Sequence, residues 1–349
     1  MVTVSHPGAL EPTESNRTGN ARSIAALLLL SPIIGEVLNG ATRLSFMFAL
    51  IPEIMVWGCG TLIIRELTRR WRGGILTMVL LGLALAIAEE FIIQQTSLAP
   101  LPWLDSPTPY GRLWGVNWVY FLSMLGYETV WVVLVPVLVV ELIYPLRRAQ
   151  PWLRTRGMVI AAAVFLLGSF IAWFLWIKQA RPNVFHVPDY QPPTLTLLLG
   201  LAAIAALGFA ARALRNSHAH SPTAHAAKSP WIVGVTAIAF GVPWYILIVL
   251  AFVPDVGVPF WIAMAVGVAW ATAAFLVLRD WAFGAGWGPM HGWALAFAAL
   301  LVNMSCGFLG SNYWPAIDVY AKIGMNVVAV LCMLALARRL GGRPGKTTA

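Results

Sequence analysis

From Ile75 to Gln94 the chain reads ILTMVLLGLALAIAEEFIIQ, twenty residues with no charge until a Glu-Glu doublet near the end. A helix rises 1.5 Å per residue, so this run covers the roughly 30 Å hydrocarbon core of a bilayer. One acid at that depth costs about 2.5 to 3.5 kcal/mol on insertion scales. A membrane helix that keeps two acids side by side needs partners for them, and the rest of the chain is read for those partners.

The whole sequence has the same solvent in view. Of its 349 residues 59% are hydrophobic and 11% charged, against about a quarter charged in an ordinary soluble domain. The mean hydropathy is +0.77, and 17 Trp and 30 Gly fit a helical membrane protein, where both residues are enriched. A water-soluble fold is excluded. Besides Ile75 to Gln94, apolar stretches run from Ser23 to Thr42, Ser45 to Ile64, Trp114 to Leu142, Met158 to Ile177, Thr194 to Leu214, Trp231 to Val253, Val258 to Leu278, Met290 to Leu309 and Ile317 to Ala337. The expected fold is an all-α polytopic bundle of about ten spans.

Basic residues orient it. With the N-terminus placed in the cytoplasm, 18 of the 23 Lys and Arg fall on cytoplasmic segments, and only Arg43, Arg112, Lys178, Arg181 and Lys322 fall outward. Cytoplasmic loops are enriched in these residues, so both termini are expected inside. The net charge of +9 is then headgroup contact and topology, with no need for nucleic acid. The expected organisation is a cytoplasmic tail 1–22 retained without a cleaved signal peptide, a four-helix unit 23–145, a six-helix apolar unit 146–338 with a cytoplasmic linker near 215–230, and a basic tail 339–349. The linker carries His218, His220 and His225, with nothing to fix a metal geometry. Cys59, Cys306 and Cys332 lie inside spans and read as packing residues. The aromatic outer loops around Trp103, Trp114 and Trp118, around His186, Asp189 and Tyr190, and around Tyr313 and Trp314 read as an interfacial belt; the alternative is a lid over an outward cavity.

The acids carry the functional reading. Five of the 14 Asp and Glu lie well within spans, away from their ends: Glu36, Glu53, Glu89, Glu90 and Glu128, all in the first four helices. Helical rise places them between about 17 and 25 Å from the cytoplasmic end, one slab from the midplane to the outer third. Acids at this depth must face one another, water or a ligand. Spacing adds polar neighbours: Asn39 is i+3 from Glu36, Gln94 is i+4 from Glu90, and Asn117 shares a helix face with Glu128. Pro32 and Pro52 precede Glu36 and Glu53 and free carbonyls at membrane depth. Lys322 stands one turn after Asp318, either as an interfacial ion pair with it or as a counter-charge to the acid slab.

The run Ala86 to Gln95, with Glu89-Glu90 at the end of an apolar helix, resembles the first motif of the CAAX-protease and bacteriocin-processing membrane family, which are intramembrane metal-dependent peptidases. The resemblance implies Glu89 and Glu90 as water-activating base and metal ligand. Gln94 stands where that family has Arg, His291 is the single His within a span, and no Phe-x-x-x-His pattern follows. No phosphate loop, HExxH or haem motif is present, so neither a resident metal nor another cofactor is expected. The leading expectation is a bacterial inner-membrane protein without catalysis that binds or moves a small ligand or ion, linked to protons or cations, with the lipid bilayer as its other partner. A metal-dependent hydrolase and a membrane scaffold are the alternatives.

Overall fold

The computed structural model describes residues 14–101, 110–187, 190–216, 223–253 and 256–342. His218 and His220 of the linker, Trp103 and Asp189 of the outer loops, and most of both tails lie outside the described residues. Nine helices among the described residues are long and apolar enough to cross a bilayer. In chain order, with one shorter helix between the last two, they are α1 (apolar part Asn20–Val37), α2 (Leu44–Arg70), α3 (Ile75–Ile93), α4 (Trp118–Ile143), α5 (Thr155–Asn183), α6 (Thr194–Ala213), α7 (Pro230–Leu250), α8 (Phe260–Ala282), α9 (Pro289–Cys306) and α10 (Ala316–Gly341). Helix α9, the shorter one, is the span expected over Met290 to Leu309, and it holds His291, Asn303 and Ser305 within 18 residues. Among the described residues, strand structure is confined to two short pairs in loops. The chain is a helical membrane bundle.

Consecutive helices run antiparallel and collect their loops at two ends. Asn216 N donates to Trp71 O at 2.9 Å, Arg65 Nη2 to Arg147 O at 3.0 Å, and the strand Thr223–Ala226 pairs with Gly284–Ala285. These contacts gather the arginine-rich loops at one end, as the alternation of basic segments requires. At the other end Asn117 N donates to Ser97 O, Tyr110 N to Val253 O, and Arg181 Nη2 to Pro100 O. Helices α1 and α2 are separate crossings, joined by a turn in which Gly40 takes a left-handed φ of 96°.

Burial separates inner helices from outer ones. In α4, 67% of the apolar window is buried, against 11% in α5, 11% in α6 and 6% in α8. The outer helices leave Val159, Leu166, Leu198, Phe209, Trp261 and Val266 exposed for lipid. One core joins α1 and α4 to α7, α9 and α10 through Leu38, Trp131, Tyr245, Ala299 and Leu336.

Close approach of the inner helices follows from residue choice. Pro136 has no N–H to offer the carbonyl one turn back, Val132 O. That oxygen is met by Thr61 Oγ1 at 2.9 Å and Ser31 Oγ at 2.8 Å, from two other helices. Pro32 likewise leaves Leu28 O, against which α2 packs through Gly58, where a Cβ would stand 2.5 Å from that oxygen. A Gly58→Ala substitution is therefore expected to lower the stability of the detergent-solubilised protein by about 1–3 kcal/mol. Gly208→Ala, at a site with nothing within 4 Å of the added carbon, leaves the unfolding midpoint unchanged or slightly raised; equal midpoints for the two variants would contradict this packing.

Candidate functional site: an acid cluster at π-helical turns

Helices α1 to α4 each carry a π-helical turn, ending α1 at Ile33–Val37 and α3 at Ala88–Ile93, and lying inside α2 at Ile54–Gly58 and α4 at Glu128–Leu134. All five intramembrane acids sit at these turns: Glu36, Glu89, Glu90 and Glu128 within them, and Glu53 as the residue before Ile54. A π turn replaces i→i+4 bonds by i→i+5 and re-aims the side chains it carries, which is why such turns gather at functional sites. In α3 the Gln94 N–H donates to Glu89 O at 2.9 Å. The turn is thus closed across five residues, and the four-residue register that put Gln94 on Glu90's face in the sequence does not hold.

The turns bring the acids together. One carboxyl oxygen from each of Glu89, Glu90 and Glu128 lies within 4.8 Å of the others, and the three residues are at most 4% exposed. Glu89 interacts electrostatically with both Glu90 and Glu128. Ser97 Oγ donates to Glu90 Oε2 at 2.6 Å, so the loop after α3 is tied into the cluster. Glu36 lies in electrostatic reach of Glu53, Glu89, Glu90 and Glu128. Glu53 is fixed by the Thr42 hydroxyl, which donates to its Oε1. Glu53 Oε2 and Glu128 Oε2 are buried with no donor. Two ionised carboxylates 4.8 Å apart repel by roughly 3 kcal/mol at an effective dielectric of about 20. The cluster therefore requires a proton or another cation among its oxygens.

A polar wall closes one side, and half of it comes from helices with no acid. α1 stops at Val37, leaving its last carbonyls without helical partners. Ile34 O accepts from Asn303 Nδ2 at 2.6 Å and Gly35 O from the Tyr127 hydroxyl. Tyr245 donates to Asn303 Oδ1 at 2.6 Å, and Asn39 Nδ2 reaches the same oxygen at 3.0 Å. The rings of Tyr127, Trp131 and Tyr245 pack with centroids 5.4 to 6.4 Å apart. Tyr127 and Tyr245 were not singled out by sequence reading; for Tyr127 its place beside Glu128 was the available signal.

Other candidate residues land elsewhere. Asn117 precedes α4 and spends its amide on the loop, donating to Thr96 O at 3.1 Å and Ala99 O at 2.9 Å. Its helical spacing from Glu128 does not apply, because the helix begins only at Trp118. Lys322 neither pairs with Asp318 nor joins the acids: Asp318 accepts from Ser45 N at 2.9 Å and Ser45 Oγ at 2.7 Å, and Lys322 Nζ donates to Leu38 O at 2.6 Å. His291 caps α9, its Nδ1 accepting from Gly288 N at 3.0 Å, and stacks on Trp287.

A second buried charge network occupies the basic end. Arg65 is fully buried 3.4 Å above the Trp152 ring. Its five N–H donors go to Glu66, Glu141, Gln150 O, Arg147 O and Arg148 O. Glu66 also accepts from Trp152 N and Leu153 N, and Arg69 holds Glu141 at 2.7 Å. The charges here balance in sign, and the loop after α4 supplies partners for Arg65 and Glu66, while Arg69 Nε is left without one. In the sequence Arg65 directly follows an apolar span and stands with the other arginines of a basic segment, with no local sign of its distant partners.

The donor set at the cluster consists of carboxylate oxygens, which suits hard cations such as Mg²⁺, Ca²⁺ or Mn²⁺. Compared with protein-family models, curated proteins and solved structures, the chain matches none of them. Asn303→Leu strands Ile34 O and the Tyr245 hydroxyl, and is expected to cost about 1–3 kcal/mol, read as a lowered unfolding midpoint. Tyr245→Phe, which removes a single donor, should cost about 1 kcal/mol; a larger loss for Phe than for Leu would contradict the bonding described.

Proposed function

We propose that this multi-pass membrane protein binds a cation, a proton or a metal ion, at Glu89, Glu90 and Glu128, and uses that charge to hold or move a small ligand. The observation that carries the reading is the approach of three buried carboxyl groups from two helices to within 4.8 Å, in a medium where unneutralised acids are costly. Glu36 and Glu53 extend the acid row toward Thr42 in the turn between α1 and α2, a route for charge between the cluster and the less basic end. With the arginine-rich end in the cytoplasm, that row opens toward the outside of a bacterial inner membrane. A change in the cluster's charge would bias inward against outward access by binding the two states unequally.

The Glu89-Glu90 doublet supports a second reading, the intramembrane hydrolase that it resembles. In that reading Glu128 and one member of the doublet would hold the metal, which would activate water, with the other member as proton acceptor. His291, engaged in capping α9, would take no part.

Calorimetric titration of the purified protein with Mn²⁺ tests the cation site. Saturable binding is expected, weakened at least tenfold in Glu89→Gln, Glu90→Gln and Glu128→Gln and unchanged in Glu141→Gln. Lowering the pH should weaken it, because protons compete for the same oxygens. Absence of saturable binding, or equal binding in all four variants, would overturn the proposal. Metal-dependent cleavage of a membrane peptide that Glu89→Gln and Glu90→Gln abolish would instead establish the hydrolase.

A further inference from the structure

Lys322 is 1% exposed within α10, and among the described residues no ion pair joins it to an acid. A buried ammonium without a counter-ion must have its three N–H donors met in another way. Leu38 O accepts at 2.6 Å and Met304 O at 3.2 Å. With the Asn326 amide turned so that both its ends are paired, Oδ1 accepts the third N–H at 3.3 Å while Nδ2 donates to Leu38 O at 3.1 Å. The Phe308 ring covers a fourth side, its centroid 4.4 Å from Nζ, which adds a cation–π contact.

The two carbonyls have a common origin. Leu38 caps the π turn that ends α1, and Met304 stands in the last turn of α9. Both are helix C-termini, where carbonyls lack helical partners and the helix dipole is negative. Two such termini with an amide oxygen and an aromatic face form the surroundings in which membrane proteins hold a desolvated monovalent cation. The stem is accommodated as closely as the head. Gly40, in its left-handed turn, lies against it, and a Cβ there would stand 2.9 Å from Lys322 Cδ.

We propose that this cage is a binding site for a monovalent ammonium-type cation, filled by the chain's own tethered ammonium. The tether keeps the site permanently loaded and ties α10 to the ends of α1 and α9. Shortening the tether turns the cage into a receptor for a free cation that replaces the missing atoms. Lys322→Met keeps an apolar stem and leaves room for a bare ammonium ion; Lys322→Ala leaves room for n-propylammonium.

The test is the thermal unfolding midpoint in detergent, with choline chloride holding the ionic strength constant. Ammonium chloride should raise the midpoint of Lys322→Met saturably, by about 4 °C or more near saturation. n-Propylammonium should do the same for Lys322→Ala and leave Lys322→Met unmoved, and the native chain should respond to neither. Should Lys322→Ala fail to accumulate, the ammonium response of Lys322→Met decides alone. No response, or an equal response of the native chain, would overturn the proposal.

Discussion

A bilayer offers no water to a stranded carbonyl, so each backbone oxygen released inside it must be met by protein. That constraint organises this molecule. Prolines and π turns release oxygens in α1, α2 and α4, and side chains from other helices arrive to meet them. Ser31 and Thr61 take Val132 O, Asn303 takes Ile34 O, Tyr127 takes Gly35 O, and Lys322 takes Leu38 O. Each such bond links helices that hydrophobic contact alone would hold loosely, because lipid tails are as apolar as leucine.

The acid cluster rests on the same breaks. The wider turns at Ile33–Val37, Ala88–Ile93 and Glu128–Leu134 carry Glu36, Glu89, Glu90 and Glu128, and the carboxyl oxygens of the last three meet within 4.8 Å. The polar atoms of the wall and the carboxyl oxygens of the centre are thus two products of one distortion. The wall is satisfied by hydrogen bonds, whereas Glu128 Oε2 and Glu53 Oε2 remain without donors. The proposed cation site rests on this asymmetry.

The basic end shows the contrasting solution. Arg65, Arg69, Glu66 and Glu141 are buried or nearly so, yet their charges alternate in sign, and the loop residues Arg147, Arg148, Gln150, Trp152 and Leu153 supply further partners to Arg65 and Glu66. A buried pair of this kind is expensive to break and adds little net stability beyond that of an apolar replacement; its effect is to fix how the loop after α4 seats on α2. Charge is neutralised within the protein at the basic end, whereas among the described residues no ion pair joins Glu89, Glu90 or Glu128 to a basic side chain.

What the order of residues determined by itself was the set of crossings, the gathering of arginines at one end, and the presence of five acids at a common depth, because length and hydropathy need no knowledge of neighbours. Depth follows from counting along a helix, so Glu36, Glu53, Glu89, Glu90 and Glu128 could be grouped without coordinates. Direction around the axis could not be read, since π turns shift the register that a 3.6-residue period assumes; Gln94 was misplaced for that reason, and Asn117 because its helix begins only after it. Partners distant in sequence were equally hidden. Asn303 reaches Ile34, Tyr245 reaches Asn303 and Lys322 reaches Leu38 only because the chain folds back on itself. Which oxygen each side chain meets was therefore decided by the packing of helices, since a lone polar residue in an apolar span has no sequence-local signal that names its partner.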